Sequence, residues 1–243
     1  MIKRLFDLVV SLLLIVLLSP LLILFSIIIW AKDWHSPFYI ATRVGKNKKQ
    51  FKMIKFRSMI VNADESGVDS TAVNDNRITS LGNFIRKYKI DELPNIFNIL
   101  KGEMSFVGPR PNVKRETDLY TKEEMKLLSV QPGITDFASI VFADEGDILK
   151  DSNDPDLDYN QLIRPWKSRL GIFYVINRTM VLDIKLICVT VIAIISKQNA
   201  LKKINNILIN LSAEDKLIEI TKRENQLRPY PPPGSDSIVT SRL

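Results

Sequence analysis

The stretch LVVSLLLIVLLSPLLILFSIIIWA, residues 8–31, carries no charge and is broken near its middle by Ser19 and Pro20. Roughly 20 apolar residues suffice for a helix to cross a bilayer, so by length this is a membrane segment. The flanking charges argue against an ordinary span. Lys3 and Arg4 precede it, Lys32, Arg43, Lys46, Lys48 and Lys49 follow it, and Lys and Arg near membrane ends favour the cytoplasmic side. Pro20 lacks a backbone donor and clashes with the preceding turn, so a kink is expected there. Each half, of about 11 residues, reaches about 17 Å at 1.5 Å per residue, the depth of one leaflet. A re-entrant helix-break-helix satisfies both observations, with the Ser19 hydroxyl or neighbouring protein meeting the backbone groups freed at the break; a kinked span is the alternative. A cleaved signal peptide fits poorly, because the run exceeds the usual apolar region of about 7 to 15 residues and no small-x-small site closes it.

The 243 residues leave room for this anchor, one globular domain of about 150 residues and a tail. The expected boundaries are 1–34, 35–197 and 198–243. With 34 Lys and Arg against 27 Asp and Glu, the net charge of +7 suits an anionic partner such as lipid headgroups, nucleic acid or a phosphorylated substrate. The one cysteine, Cys188, lies in an apolar run and reads as a small core residue; no internal disulfide is possible, which fits a reducing, cytoplasmic setting. The one histidine, His35, sits beside Trp34 and reads as interfacial. Without a second histidine, Ser-His or Cys-His hydrolysis and a zinc site of His and Cys ligands are set aside.

After the anchor, Pro37 to Thr42 and Phe51 to Met59 read as strands around a turn at Gly45, Lys46 and Asn47, a small β-hairpin. Asn62 to Arg77 reads as a loop and Ser80 to Tyr88 as a helix. From Leu93 to Lys101 the apolar residues Leu93, Ile96, Phe97 and Leu100 define one helical face, and Gly102 supplies a stop. A helix is expected over Thr121 to Ser129, an acidic loop from Asp144 to Asp158 and another helix after Pro165. The apolar stretch Thr179 to Ser196, interrupted by Asp183 and Lys185, reads as an amphipathic, interfacial helix. Ile204 to Arg223 reads as one more helix, and the proline-rich end as disordered. The fold class is therefore α+β, mainly helical.

Asp91 and Glu92 precede Pro94, a good first-turn residue, and Asp91 reads as the N-cap of the second helix. A helix terminus also offers amide donors and partial positive charge to a phosphate. Arg86 lies just before the pair and Arg110 after the short helix, and Lys55 and Arg57 share a strand face, since side chains two apart point the same way. Four cations and two carboxylates on one site suit phosphoryl transfer, where charge on the equatorial oxygens must be stabilised. An aspartate ionised at neutral pH can attack phosphorus without a base, and a glutamate can hold Mg²⁺ together with substrate phosphates.

The ordered set Lys55-Phe56-Arg57-Ser58-Met59, Asp91-Glu92-Leu93-Pro94, Gly108-Pro109-Arg110-Pro111 and Pro132-Gly133-Ile134-Thr135, with the Ser19-Pro20 break, resembles the bacterial sugar transferases, the monotopic phosphoglycosyl transferases, from Lys3 to about Lys197. The resemblance implies a re-entrant anchor in the bacterial inner membrane with the catalytic domain on its cytoplasmic face. It implies transfer of sugar 1-phosphate from a UDP-sugar to a polyprenol phosphate such as undecaprenol phosphate, releasing UMP. It makes Asp91 the covalent nucleophile, Glu92 the Mg²⁺ ligand, and Lys55, Arg57, Arg86 and Arg110 the phosphate binders. After Thr135 the family's Gly-aromatic-Ala-Gln-Val pattern is replaced by Asp136-Phe137-Ala138-Ser139-Ile140, which leaves the sugar open. The stretch after about Gln198 is assigned to oligomerisation, as in a homodimer, or to a partner. A non-catalytic module binding anionic lipid or nucleic acid would use the cations but not the acidic pair, so no nucleic acid is expected; a direct glycosyl transferase would release UDP.

Overall fold

The computed structural model describes residues 2–63 and 75–241; the loop expected from Asn62 to Arg77 falls mostly outside them. The apolar stretch lies in helix α1, Ile2–Asp33, the one helix among the described residues long and apolar enough to cross a membrane. The expected interruption at Ser19 and Pro20 does not appear as a gap: the helix runs through both. Pro20 removes only the N–H that would have bonded the Val16 carbonyl, and the Ser19 hydroxyl donates to that same carbonyl at 2.8 Å, so the orphaned acceptor is met locally.

Both ends of α1 are fastened to the globular part. Near its start, Lys3 Nζ meets Asp183 Oδ2 at 2.5 Å, the Arg4 guanidinium donates to the carbonyls of Ile99 and Leu100 at 2.6 and 2.8 Å, and Asp7 accepts from Ser105 Oγ and the Phe106 amide. Near its end, Leu22, Phe25 and Ile29 pack with Phe56 and Ile85. Between these anchorages Leu12, Leu13, Val16 and Leu17 are exposed.

Strands β1 (Phe38–Val44) and β2 (Gln50–Phe56) form the expected antiparallel hairpin, Phe38 opposite Phe56. Helix α2 (Ser80–Lys87) is capped by Thr79, whose hydroxyl accepts from the Gly82 amide. A 3₁₀ turn, Ile90–Glu92, leads to α3 (Asn95–Lys101), which Gly102 closes in the left-handed conformation, φ 83°. Strand β3 (Ser105–Val107) pairs in parallel with β4 (Gly133–Thr135), a contact invisible in the sequence because short parallel partners need not be neighbours in the chain. The connection between them carries α4 (Lys114–Asp118) and a 3₁₀ segment, Glu124–Ser129, in place of the helix expected there. The expected acidic loop contains two short helices, α6 (Glu145–Ile148) and α7 (Pro155–Asp158), after α5 (Phe137–Val141). A π-turn, Tyr159–Ile163, then opens α8 (Arg164–Asn177).

Helix α9 (Met180–Ile195) buries Leu182, Leu186 and Val189 and exposes Val181, Ile184, Val191, Ile194 and Ile195. Cys188 is exposed on this helix rather than buried as expected. The expected single helix from Ile204 is two, α10 (Lys197–Asn210) and α11 (Asp215–Lys222), separated by a turn with Ser212 left-handed. The turn lets α11 fold back, so that Thr221 Oγ1 donates to Asn205 Oδ1 at 2.8 Å and Leu217 joins Ile204 and Leu208 in the main core. That core also holds Phe137, Ile163, Leu170 and Leu186; residues beyond 198 complete it rather than extend from it. The proline-rich end, expected to be disordered, is laid against α8. Tyr230 stacks on Trp166 with centroids 4.5 Å apart, Arg169 lies over both rings and donates to the Pro231 carbonyl. Prolines cannot donate, but their carbonyls accept as well as any others, and two aromatic rings offset the ordering entropy.

Candidate active site

Asp91 and Glu92 sit on the 3₁₀ turn that Lys89 opens in the left-handed conformation, φ 58°. This corrects the expected N-cap: α3 starts later, at Asn95, and no side chain caps it. The turn points both carboxylates inward, each only 7% exposed. Glu92 Oε1 accepts from Arg110 Nη2 at 2.7 Å and from Lys55 Nζ at 3.3 Å. Lys55 reaches it from β2. Arg110 comes from the turn after β3, which is clamped to β4 by Gly108 N to Thr135 O and Gly133 N to Pro109 O, each 3.0 Å. This crossing requires glycine: a Cβ on Gly133 would lie 2.1 Å from the Gly108 nitrogen.

The two acids differ electrostatically. Burial pushes Glu92 up, but Arg110 and Lys55 outweigh it and hold the carboxyl well below the ordinary range. Burial and the neighbouring Glu92 charge push Asp91 up, against the pull of Lys55, Arg86 and Lys89. Burial draws the Lys55 ammonium down despite Glu92, while Glu92 raises Arg110. Asp91 Oδ1 is buried and has no hydrogen-bond partner among the described residues. A buried oxygen left without a partner is costly and is commonly a mark of function. Oδ1 is thus free to bind a cation or attack an electrophile in a cationic surround.

Of the six residues expected here, Asp91, Glu92, Lys55 and Arg110 come together, and Arg86, in the last turn of α2, acts on Asp91 through its charge. Arg57 does not join them: it forms a bidentate pair with Asp33, 2.6 Å on both arms. Strand β2 ends at Phe56, so the alternation that put Arg57 beside Lys55 stops one residue too soon. The sequence reading passed over Lys89, which touches Asp91 and Glu92 through charge; the left-handed turn that brings it round left no mark in the chain. Also missed were Glu145, paired with Lys167 and held down by it against burial, with Arg110 assisting, and Asp136, which burial raises. Asp136 caps α5 by accepting from the Ser139 amide at 2.7 Å and, with Ser139, Tyr159 and Lys167, lines a cavity of about 40 Å³ beside Arg110.

Among the described residues no three His, Cys, Asp or Glu side chains gather as a metal cage. Two carboxylates with an unpartnered oxygen fit a different arrangement, the hard-oxygen foothold from which Mg²⁺ is commonly held jointly with substrate phosphates.

A family model described as bacterial sugar transferase matches residues 1–197. A UDP-N-acetylgalactosamine-undecaprenyl-phosphate N-acetylgalactosaminephosphotransferase of Aeromonas hydrophila is 34% identical over 72% of the chain and 43% of its own length. An undecaprenyl-phosphate galactose phosphotransferase of Salmonella typhimurium is 34% identical over 82% of the chain and 41% of its own. The chain therefore spans less than half the length of these two relatives. An uncharacterised sugar transferase of Bacillus subtilis, EpsL, is 36% identical over 78% of the chain and 85% of its own length.

Proposed function

The chain belongs to the bacterial sugar transferase family, and from that premise we propose that it transfers a sugar 1-phosphate from a UDP-sugar to a polyprenol phosphate. The observation that carries this is the buried acidic pair, one member neutralised by Lys55 and Arg110 and the other with a free oxygen. In the first step Asp91 attacks the β-phosphorus, a carboxylate–phosphorus bond forms, the bond to the α-phosphate oxygen breaks and UMP leaves with that electron pair. In the second a polyprenol phosphate oxygen attacks the same phosphorus, giving the lipid diphosphosugar and returning Asp91 as carboxylate. Arg110, Lys55, Arg86 and Lys89 offset charge on the phosphates. Mg²⁺ held by Glu92 would supply further charge neutralisation of the diphosphate.

The anchor is proposed to be re-entrant, bending at Pro20. A straight helix of 32 residues measures about 48 Å, yet Arg4 and Asp7 near one end and Phe25 and Asp33 near the other are all bound to one globular body, which can lie on only one side of a bilayer. The exposed apolar face of α9 and the Trp30 and Trp34 rings support an interfacial position beside it, where a water-soluble donor meets a lipid phosphate. We place the catalytic domain on the cytoplasmic face of the inner membrane, where the basic flanks favour it.

The test is a screen of UDP-sugars with Mg²⁺ and undecaprenyl phosphate for UMP release. UMP is expected, with release abolished in Asp91→Asn; steady turnover by that variant sinks the covalent route, and UDP as product sinks the phosphoryl one. Cysteines introduced at Lys3 and Lys46 should label from the same side; labelling from opposite sides excludes the re-entrant bend.

A further inference from the structure

From Lys89 to Phe97 the backbone bonds skip three residues: Glu92 N to Lys89 O, Leu93 N to Ile90 O, Ile96 N to Leu93 O and Phe97 N to Pro94 O, at 3.1 to 3.2 Å. Residues three apart eclipse along such a path, so Glu92 and Asn95 fall in one column, and Asn98, one turn further on in α3, lies on the same broad face. That face turns toward β2, since Glu92 meets Lys55 and Asn98 Oδ1 accepts from the Ile54 amide at 3.0 Å. The amide of Asn98 is fully used, its Nδ2 donating to the Lys52 carbonyl and to Glu103, each 2.7 Å. Asn95, between the two, is 2% exposed and its Oδ1 has no partner among the described residues. It lies on the same short segment as Asp91, whose Oδ1 is also buried and unpartnered.

We propose that Asn95 is a ligand for a divalent cation at this site, its amide oxygen joining carboxylate oxygens of Asp91 and Glu92. One substrate hydroxyl could satisfy one lone acceptor; two buried acceptors four residues apart, on the 3₁₀ turn and at the start of α3, beside the anionic Glu92 call for a centre that draws several oxygen lone pairs at once. Mg²⁺ and Mn²⁺ are such centres. A neutral third ligand also suits the chemistry, because it adds no negative charge where a diphosphate must approach. The assignment rests on the transferase reading only in that the diphosphate supplies the remaining ligands.

The probe is Mn²⁺, titrated against the full chain in lipid nanodiscs with UDP present, its free ion followed by electron paramagnetic resonance. Asn95→Leu, close in volume but without the oxygen, is expected to weaken Mn²⁺ binding at least about tenfold, while Asn95→Asp, which keeps an oxygen there, should bind at least as tightly as wild type. Unchanged Mn²⁺ affinity in Asn95→Leu overturns the assignment. If Asn95→Leu does not fold, the aspartate variant decides: weaker Mn²⁺ binding than wild type overturns it. Should the wild type release UMP from a UDP-sugar yet take up no Mn²⁺ with UDP, the ligand assignment fails and the transferase reading stands.

Discussion

Two adjacent carboxylates on one turn are given opposite characters by what surrounds them. Glu92 is held anionic by Arg110 and Lys55, whereas Asp91 is raised by burial and by the Glu92 charge and lowered by Lys55, Arg86 and Lys89. The proposed attack by Asp91 needs it ionised, so under that reading activity should fall as pH drops through the raised Asp91 value, placing the acid limb of kcat/KM above the ordinary aspartate range of about 3.9. Arg86→Gln removes a charge that favours the ionised form, so the limb should move to higher pH; a pH–rate profile reads this separately from any loss of amplitude, and a limb that stays put means Arg86 acts on substrate alone. Arg57→Met should instead lower thermal stability through the lost Asp33 pair and leave that limb in place. The acidic pair, Lys55 and Arg110 were legible in the chain because short motifs keep their residue types together. Arg57 misled because alternation is a property of strands, and the strand had ended.

At the scale of elements, α1 carries the feature most open to test. If the Ser19 hydroxyl serves the carbonyl that Pro20 orphans, then in the proposed lipid surroundings, where no water can replace it, Ser19→Ala should cost about 1–3 kcal/mol, the penalty of a polar group left unmet away from water. In a Pro20→Ala background the restored amide takes that carbonyl, and the same Ser19→Ala change should be near neutral. A double-mutant cycle of thermal unfolding in nanodiscs measures the difference, and equal costs in both backgrounds would refute the pairing. Helical spacing made α3 readable, and apolar length made α1 and α9 readable. The split between α10 and α11 was not, because Ser212 in a left-handed turn carries no composition signal; what favours the turn is Leu217 reaching the core.

Over the whole molecule, residues 198–241 pack on the rest of the chain, α10 and α11 in the main core and the proline-rich end against α8. Tyr230 and Arg169 bind the tail to α8, and Thr121 Oγ1 donates to the Pro233 carbonyl at 2.5 Å. The opposite side of the same segment, at Tyr159, Arg164 and Lys167, lines the cavity beside Arg110. Tyr230→Ala should therefore lower stability by about 1–2 kcal/mol, an aromatic pair with its cation, and raise the donor KM more than it lowers kcat; unaltered unfolding and KM would show the tail to be passive. By itself the sequence determined the long apolar helix, the mainly helical α+β class, the acidic pair and three of the cations around it, Lys55, Arg86 and Arg110, because these follow from hydropathy, period and local motif, which are properties of neighbours along the chain. Only the tertiary structure decided that β3 pairs with β4, that Glu145 and Lys167 stand near Arg110, that Arg57 serves the anchor, that both ends of α1 grip one body and that the tail folds back. Each of these depends on contacts between distant residues, whose formation is set by burial and charge pairing across the whole core rather than by any window of sequence.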